Sequence, residues 1–228
     1  MATYVLIHGG GGSAWEWHLV AAELRDRGHD VVAVDLPIED ESAGWSEYAD
    51  TVVDAIGDRT DLVVVAHSLG GFTGPLVCAR VPVDLLVLVA GMIPAPGETF
   101  DEWWANTGWK PTVREDKDGD DDDAIWTFLH DVPPDLAVEA LAKGRDQAGT
   151  PLLEPWPLDA WPNVPTRVLL CHHDRMFPAD FMRQVVRERL GITPDEIDGG
   201  HAPYLSRPKE LADRLEAYRL GNLNCAVP

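Results

Sequence analysis

Cysteine is scarce in this chain: three thiols in 228 residues, at Cys78, Cys171 and Cys225. The number is odd and the spacing wide, which fits neither a disulfide framework nor a zinc-ligand pattern. Reduced thiols in a cytoplasmic setting are expected. Positive charge is scarce as well. Against 39 Asp and Glu stand only 18 Lys and Arg, a formal net charge of −21. That balance argues against a nucleic-acid partner and sets the chain against an anionic membrane surface. No apolar stretch approaches the roughly 20 residues that cross a bilayer. The opening Met-Ala-Thr-Tyr-Val-Leu-Ile has no basic segment or cleavage site before it turns strand-like, so no signal peptide is read.

The chain is 45% hydrophobic, enough for one α/β domain over residues 1–228. Strand and helix signals alternate from the start. Residues 4–8, 31–36, 62–67, 85–90 and 167–171 read as buried strands, with a short sixth near 196–198. Between them, Trp17, Val20, Ala21 and Leu24 recur at helical spacing behind a Ser13–Glu16 capping box. Trp45, Ala49, Val52, Val53 and Ile56 give a second amphipathic helix. Pro75 is expected to kink or loosen the helix after the third strand. This alternation predicts a mostly parallel sheet with helices on both faces. The core is assigned to 1–93 and 166–228.

Residues 94–165 break the pattern. They are proline-punctuated, hold the acidic run 115–123, and carry six of the nine tryptophans. We read them as a cap inserted over the C-terminal edge of the sheet, where open α/β sheets bind ligands. Trp103, Trp104 and Trp109 are the expected pocket residues. The acidic run has the alternating aspartates of a calcium loop. Asp121 stands where such a loop needs glycine and Thr127 where it needs glutamate, so a solvated loop is the reading.

The chemistry centres on Ala66-His67-Ser68-Leu69-Gly70-Gly71, directly after the strand Leu62-Val63-Val64-Val65. A small–x–Ser–x–Gly–Gly turn between strand and helix forms a nucleophile elbow: the tight turn holds the serine hydroxyl above the sheet. A serine needs a base to take its proton, and the base needs an acid to orient it, in the chain order Ser, Asp, His. Asp174 follows the fifth strand, and His201 lies in Asp-Gly-Gly-His ahead of the final helix. His67 is expected to point away from the serine and His8 to anchor the first loop. His172-His173-Asp174 is not read as a metal site, since consecutive residues at a strand end point in alternating directions. Oxyanion donors are expected from the backbone N–H of Leu69 and, in His8-Gly9-Gly10-Gly11-Gly12, of Gly10. The same glycine loop lacks a usable dinucleotide pattern and any Gly-Lys-Ser/Thr, so no nucleotide cofactor is expected.

With those residues in place the chain resembles the α/β-hydrolase superfamily over nearly its whole length. Tyr-Val-Leu-Ile-His-Gly-Gly, Ala-Trp-Glu-Trp and Gly-His-Asp-Val-Val-Ala-Val-Asp-Leu look like its branch of small esterases, with plant methylesterases and hydroxynitrile lyases. The resemblance implies Ser68 as nucleophile, Asp174 as acid, His201 as base, and Gly10 with Leu69 as oxyanion donors. The lyases carry a lysine after the catalytic histidine and a threonine in the first loop. Here Ala202 and Gly10 stand in those places, so hydrolysis of a small carboxylic ester through an acyl-enzyme is the inference, without metal or cofactor. A ligand receptor or a carbon–carbon bond hydrolase on the same fold are the alternatives, and a homodimer is left open.

Overall fold

The structure, a computed structural model, describes residues 1–112 and 123–225. Of the acidic run, residues 115–122 therefore lie outside the described residues. Six strands form one sheet: β1 (Thr3–Ile7), β2 (Asp30–Val34), β3 (Leu62–His67), β4 (Leu85–Val89), β5 (Thr166–Cys171) and β6 (Asp195–Ile197). Their order is β2-β1-β3-β4-β5-β6, and every neighbouring pair is parallel. The chain thus winds outward in one direction from β1 to β2, then returns and winds in the other from β3 to β6. The switch point lies between β1 and β3, the place where an open α/β sheet leaves a crevice at its carboxyl ends.

Both faces are covered, which is why β1, β3 and β4 are buried at every position. Helices α1 (His18–Asp26), α2 (Trp45–Ile56) and α3 (Gly70–Cys78) come after the first three strands. On one face Val5, Ile7, Val64 and Ala66 pack against Trp45 and Tyr48 of α2 and Phe72 of α3. On the other, Tyr4, Leu6, Val63 and Val65 meet Val20 and Leu24 of α1. The alternation of odd and even strand residues between two cores is the period-2 geometry of a pleated strand. Pro75 does not break α3, which runs unbroken from Gly70 to Cys78.

Between β4 and β5 the chain forms α4 (Phe100–Thr107), a π-helical turn (Ile125–Leu129), α5 (Pro134–Ala142) and the one-turn α6 (Thr150–Leu153). Helix α4 is started by a reciprocal capping box. Glu102 N–H donates to Thr99 Oγ1 at 3.2 Å, and Thr99 N–H donates to Glu102 Oε2 at 2.9 Å. An ion pair between Arg189 and the buried Glu98 (2.7 Å) ties the start of this segment to α7 (Ala179–Leu190). The chain closes with α8 (Pro203–Ser206) and α9 (Pro208–Cys225). Leu211 and Leu215 of α9 complete the second core. Among the described residues no helix is long and apolar enough to cross a membrane.

The Ser13–Glu16 capping box is corrected. Ser13 has the extended backbone of a cap, but its side chain makes no capping bond, and residues Ala14–Trp17 form only a short 3-10 helix. The glycine loop brings the Glu16 carboxyl against Gly12 instead of against the Ser13 N–H.

Candidate active site

The register of β1 on β3 pairs Ile7 with Ala66, so the glycine loop after β1 and the turn after β3 leave the sheet side by side. In that turn Ser68 has φ +49°, a left-handed conformation that a serine adopts only when its surroundings impose it. The Ser68 carbonyl accepts from Gly71 N–H at 3.0 Å and Met92 N–H at 2.9 Å. Gly71 has no alternative: a Cβ there would collide with the Met92 carbonyl oxygen. Close backbone approach thus explains the small residues of the hexapeptide.

Asp174 and His201 come from the loops after β5 and β6, and both are buried. His201 Nδ1 lies 2.8 Å from Asp174 Oδ2. Asp174 Oδ1 accepts from the N–H groups of Met176 (2.8 Å) and Phe177 (2.9 Å), so the carboxylate is held at both oxygens. With Nδ1–H committed to the carboxylate, the Nε2 lone pair of His201 is the one left for proton transfer. The rings of Phe128, Phe177 and His67 pack around the imidazole.

Ser68 and His201 line one cavity of about 340 Å³, together with Gly9, Gly10, Gly11 and Leu69. Its remaining wall is mainly apolar, with Met92, Phe100, Trp104, Phe128, Leu152 and Phe177 prominent. Among the described residues the N–H groups of Gly10 and Leu69 have no backbone or side-chain acceptor, which leaves both free for a ligand. His67 lines the cavity as well and donates from Nε2 to the His201 carbonyl at 2.9 Å. His8 is turned into the first loop, where its Nδ1 meets the Gly9 carbonyl at 2.7 Å and its Nε2 accepts from Leu36 N–H at 3.1 Å.

The tryptophan expectation needs correction. Trp104 lines the cavity, but Trp103 and Trp109 do not. Trp103 is fully buried, and its indole donates to the Ile93 carbonyl at 3.0 Å. Trp109 braces Trp104 from behind at 4.6 Å between ring centroids and donates to the Met176 carbonyl. Phe100 and Trp104 stand one helical turn apart on α4 and share the cavity face, whereas Trp103 pairs with the core. The i, i+4 spacing of Phe100 and Trp104 is the sequence signal that marks this face. Gln147 and Tyr204 are further lining residues that no sequence motif singles out, and Glu16, which the sequence marks only as a capping residue, lines the cavity too. His172 and His173 each face a carboxylate, Glu196 at 3.1 Å and Asp198 at 2.8 Å.

The Alpha/beta hydrolase family model matches residues 4–214. The chain belongs to the alpha/beta hydrolase family. Among curated relatives, Methylesterase 3 of Arabidopsis thaliana is 27% identical over 250 residues, covering 92% of this chain and 93% of the relative. Among solved structures, polyneuridine aldehyde esterase superimposes with a TM-score of 0.80 at 19% identity, covering 96% of this chain and 99% of that one. An extracellular alpha/beta-hydrolase from a Paenibacillus species superimposes at a TM-score of 0.78 and 22% identity, over 96% and 99% of the two chains. As a member of this family the chain is a hydrolase-type enzyme.

Proposed function

We propose that this alpha/beta hydrolase is a serine esterase that cleaves a small carboxylic ester through an acyl-enzyme. The observation that carries the reading is the buried Asp174–His201 hydrogen bond behind a cavity that also holds Ser68. In this reading His201 Nε2 takes the proton of the Ser68 hydroxyl as its oxygen attacks the ester carbonyl. Asp174 stabilises the resulting imidazolium without taking the proton itself. The tetrahedral oxyanion falls to the N–H groups of Gly10 and Leu69, where loss of one such donor typically costs about 100–1000-fold. His201 returns the proton to the departing alcohol, and water then releases the acid by the same route in reverse.

Similarity to a methylesterase over nearly the full length of both chains supports an ester substrate. Segment 94–165 acts in this reading as the cap, since it supplies Phe100, Trp104, Phe128 and Leu152 to the cavity wall. A cytoplasmic location is attached to the unpaired thiols Cys78 and Cys171, and fractionation of the producing cells tests it. The decisive experiment for the mechanism is phosphonate labelling with peptide mapping. The adduct is expected on Ser68, together with turnover of p-nitrophenyl esters that disappears in Ser68→Ala. Labelling that persists unchanged in Ser68→Ala sinks the assignment.

A further inference from the structure

Glu16 lies just beyond the glycine loop, in the 3-10 helix Ala14–Trp17, and lines the cavity that holds Ser68 and His201. Its carboxyl lies against the bare face of Gly12, where a Cβ would come within 2.6 Å of Oε1 and 2.7 Å of Oε2. The nearby Tyr204 hydroxyl favours its charged form, though less than burial opposes it. Oε2 is buried with no hydrogen-bond partner. Burial without a nearby cation pushes the carboxyl up to about 8. An unmet buried acceptor of this kind is costly unless something else satisfies it.

Two more cavity residues present unmet acceptors. Gln147 uses its Nε2 on the Tyr48 hydroxyl (2.9 Å) and the Ala148 carbonyl (3.1 Å). The carbonyl can only accept, which fixes the amide orientation and leaves Oε1 buried without a partner. His67 donates from Nε2 to the His201 carbonyl, so its partnerless Nδ1 is a bare lone pair. Among the described residues no Lys or Arg lines the cavity. The spare capacity of its side chains is therefore acceptor-rich, set among aromatic rings that also attract cations.

We propose that Glu16 is a specificity-determining residue that receives a protonated amine on the substrate, so that the preferred esters carry an ammonium group. An ammonium is a donor with no acceptor, the complement of this set, whereas among the described residues a carboxylate-bearing ester finds no cationic side chain in the lining. Its arrival ionises Glu16, whose proton leaves to solvent, and the pair becomes a charge-assisted hydrogen bond. The net charge of −21 works in the same direction by drawing cations toward the protein.

This inference rests on the esterase reading, and the test separates the two. Matched esters are compared, one ending in a dimethylammonium group and the other in an isopropyl group of the same shape, placed in turn on the acyl and the alcohol side. Hydrolysis is monitored by acid release. The wild type is expected to prefer the ammonium ester in kcat/KM by tenfold or more on one side, and Glu16→Gln to reduce that ratio at least tenfold. Cleavage of the isopropyl ester with no ammonium preference overturns the role of Glu16 and leaves the esterase reading standing. A preference that survives in Glu16→Gln also overturns it. No cleavage of either ester, with no phosphonate adduct on Ser68, overturns the esterase reading itself. Should Glu16→Gln not fold, inhibition of the wild type by the free dimethylammonium alcohol against its isopropyl counterpart decides. Equal inhibition then rejects the proposal, and tenfold stronger inhibition by the amine upholds it.

Discussion

The imidazole of His67 is hydrogen-bonded through Nε2 to the main-chain carbonyl of His201 at 2.9 Å, and the two rings meet edge-on at 4.7 Å. One buried histidine thus holds the backbone of another whose own side chain is committed to Asp174. Burial and the neighbouring His201 keep His67 well below the ordinary histidine range. His8 is lowered to about 4, mainly by burial, and the Leu36 N–H pointing at its Nε2 leaves no place for a second proton.

These two histidines set the acid limit of stability. Each is neutral when folded and gains a proton on unfolding once the pH drops below about 6.5, so their contribution is complete above that value and lost below it. The slope approaches about 1.4 kcal/mol per pH unit for each group. Glu16 opposes them: its raised value makes folding less favourable as pH rises from about 4.5 to about 8. His29, also lowered chiefly by burial, acts with the two histidines, and Asp84, raised chiefly by burial, acts with Glu16; three histidines against two carboxyls leave a net loss on acidification. Denaturant midpoints measured between pH 7 and pH 5 should fall; a flat or rising series contradicts this balance.

Asp174→Asn should keep the fold and lose roughly 10,000-fold in turnover, as the equivalent change does in a protease triad. An asparagine can still accept from Met176 N–H and Phe177 N–H, so the loop stays in place while the imidazole loses its counter-charge. Circular dichroism and esterase kinetics on the same sample check both halves. Near-normal activity would move the acid elsewhere.

Trp103 and Trp104 are neighbours with different expected phenotypes. Trp103→Ala removes a fully buried indole and should cost about 3–5 kcal/mol of stability, with little change in the ratio of rates on acetyl and aromatic esters. Trp104→Ala widens the cavity wall and should shift that ratio. Thermal unfolding and kcat/KM for the two esters separate them, and identical selectivity in both variants would place the acyl subsite on another wall.

Arg189→Met should destabilise the protein by about 3–5 kcal/mol, because it leaves the Glu98 carboxylate buried without its cation. The double change Glu98→Gln with Arg189→Met should recover much of that loss. If the single variant unfolds at the wild-type denaturant concentration, the pair contributes nothing.

The sheet is legible in the sequence because strands covered on both faces must be largely apolar, and β1, β3 and β4 are, but for Thr3 at the start of β1 and His67 at the end of β3. Ser68, Asp174 and His201 stand out because each lies a few residues beyond a strand end, where a parallel sheet brings loops together. The walls of the cavity are less legible. Which face of a short helix meets a cavity depends on how the helix is seated, and Trp103 and Trp104 differ only in that. Glu16 reads as a cap residue because Ser-x-x-Glu is a local pattern. Its actual place is set by the bare face of Gly12, and that contact depends on how the loop folds back on itself.

Ser68 sits at φ +49° just past the end of β3, where glycine would avoid the steric strain of a side chain. The protein therefore carries a built-in conflict of about 1–3 kcal/mol between the serine of the proposed mechanism and the residue that would fold best. Ser68→Gly should be inactive yet unfold at a higher denaturant concentration than the wild type. Selection for thermal robustness alone would erase the very hydroxyl on which the proposed ester cleavage rests.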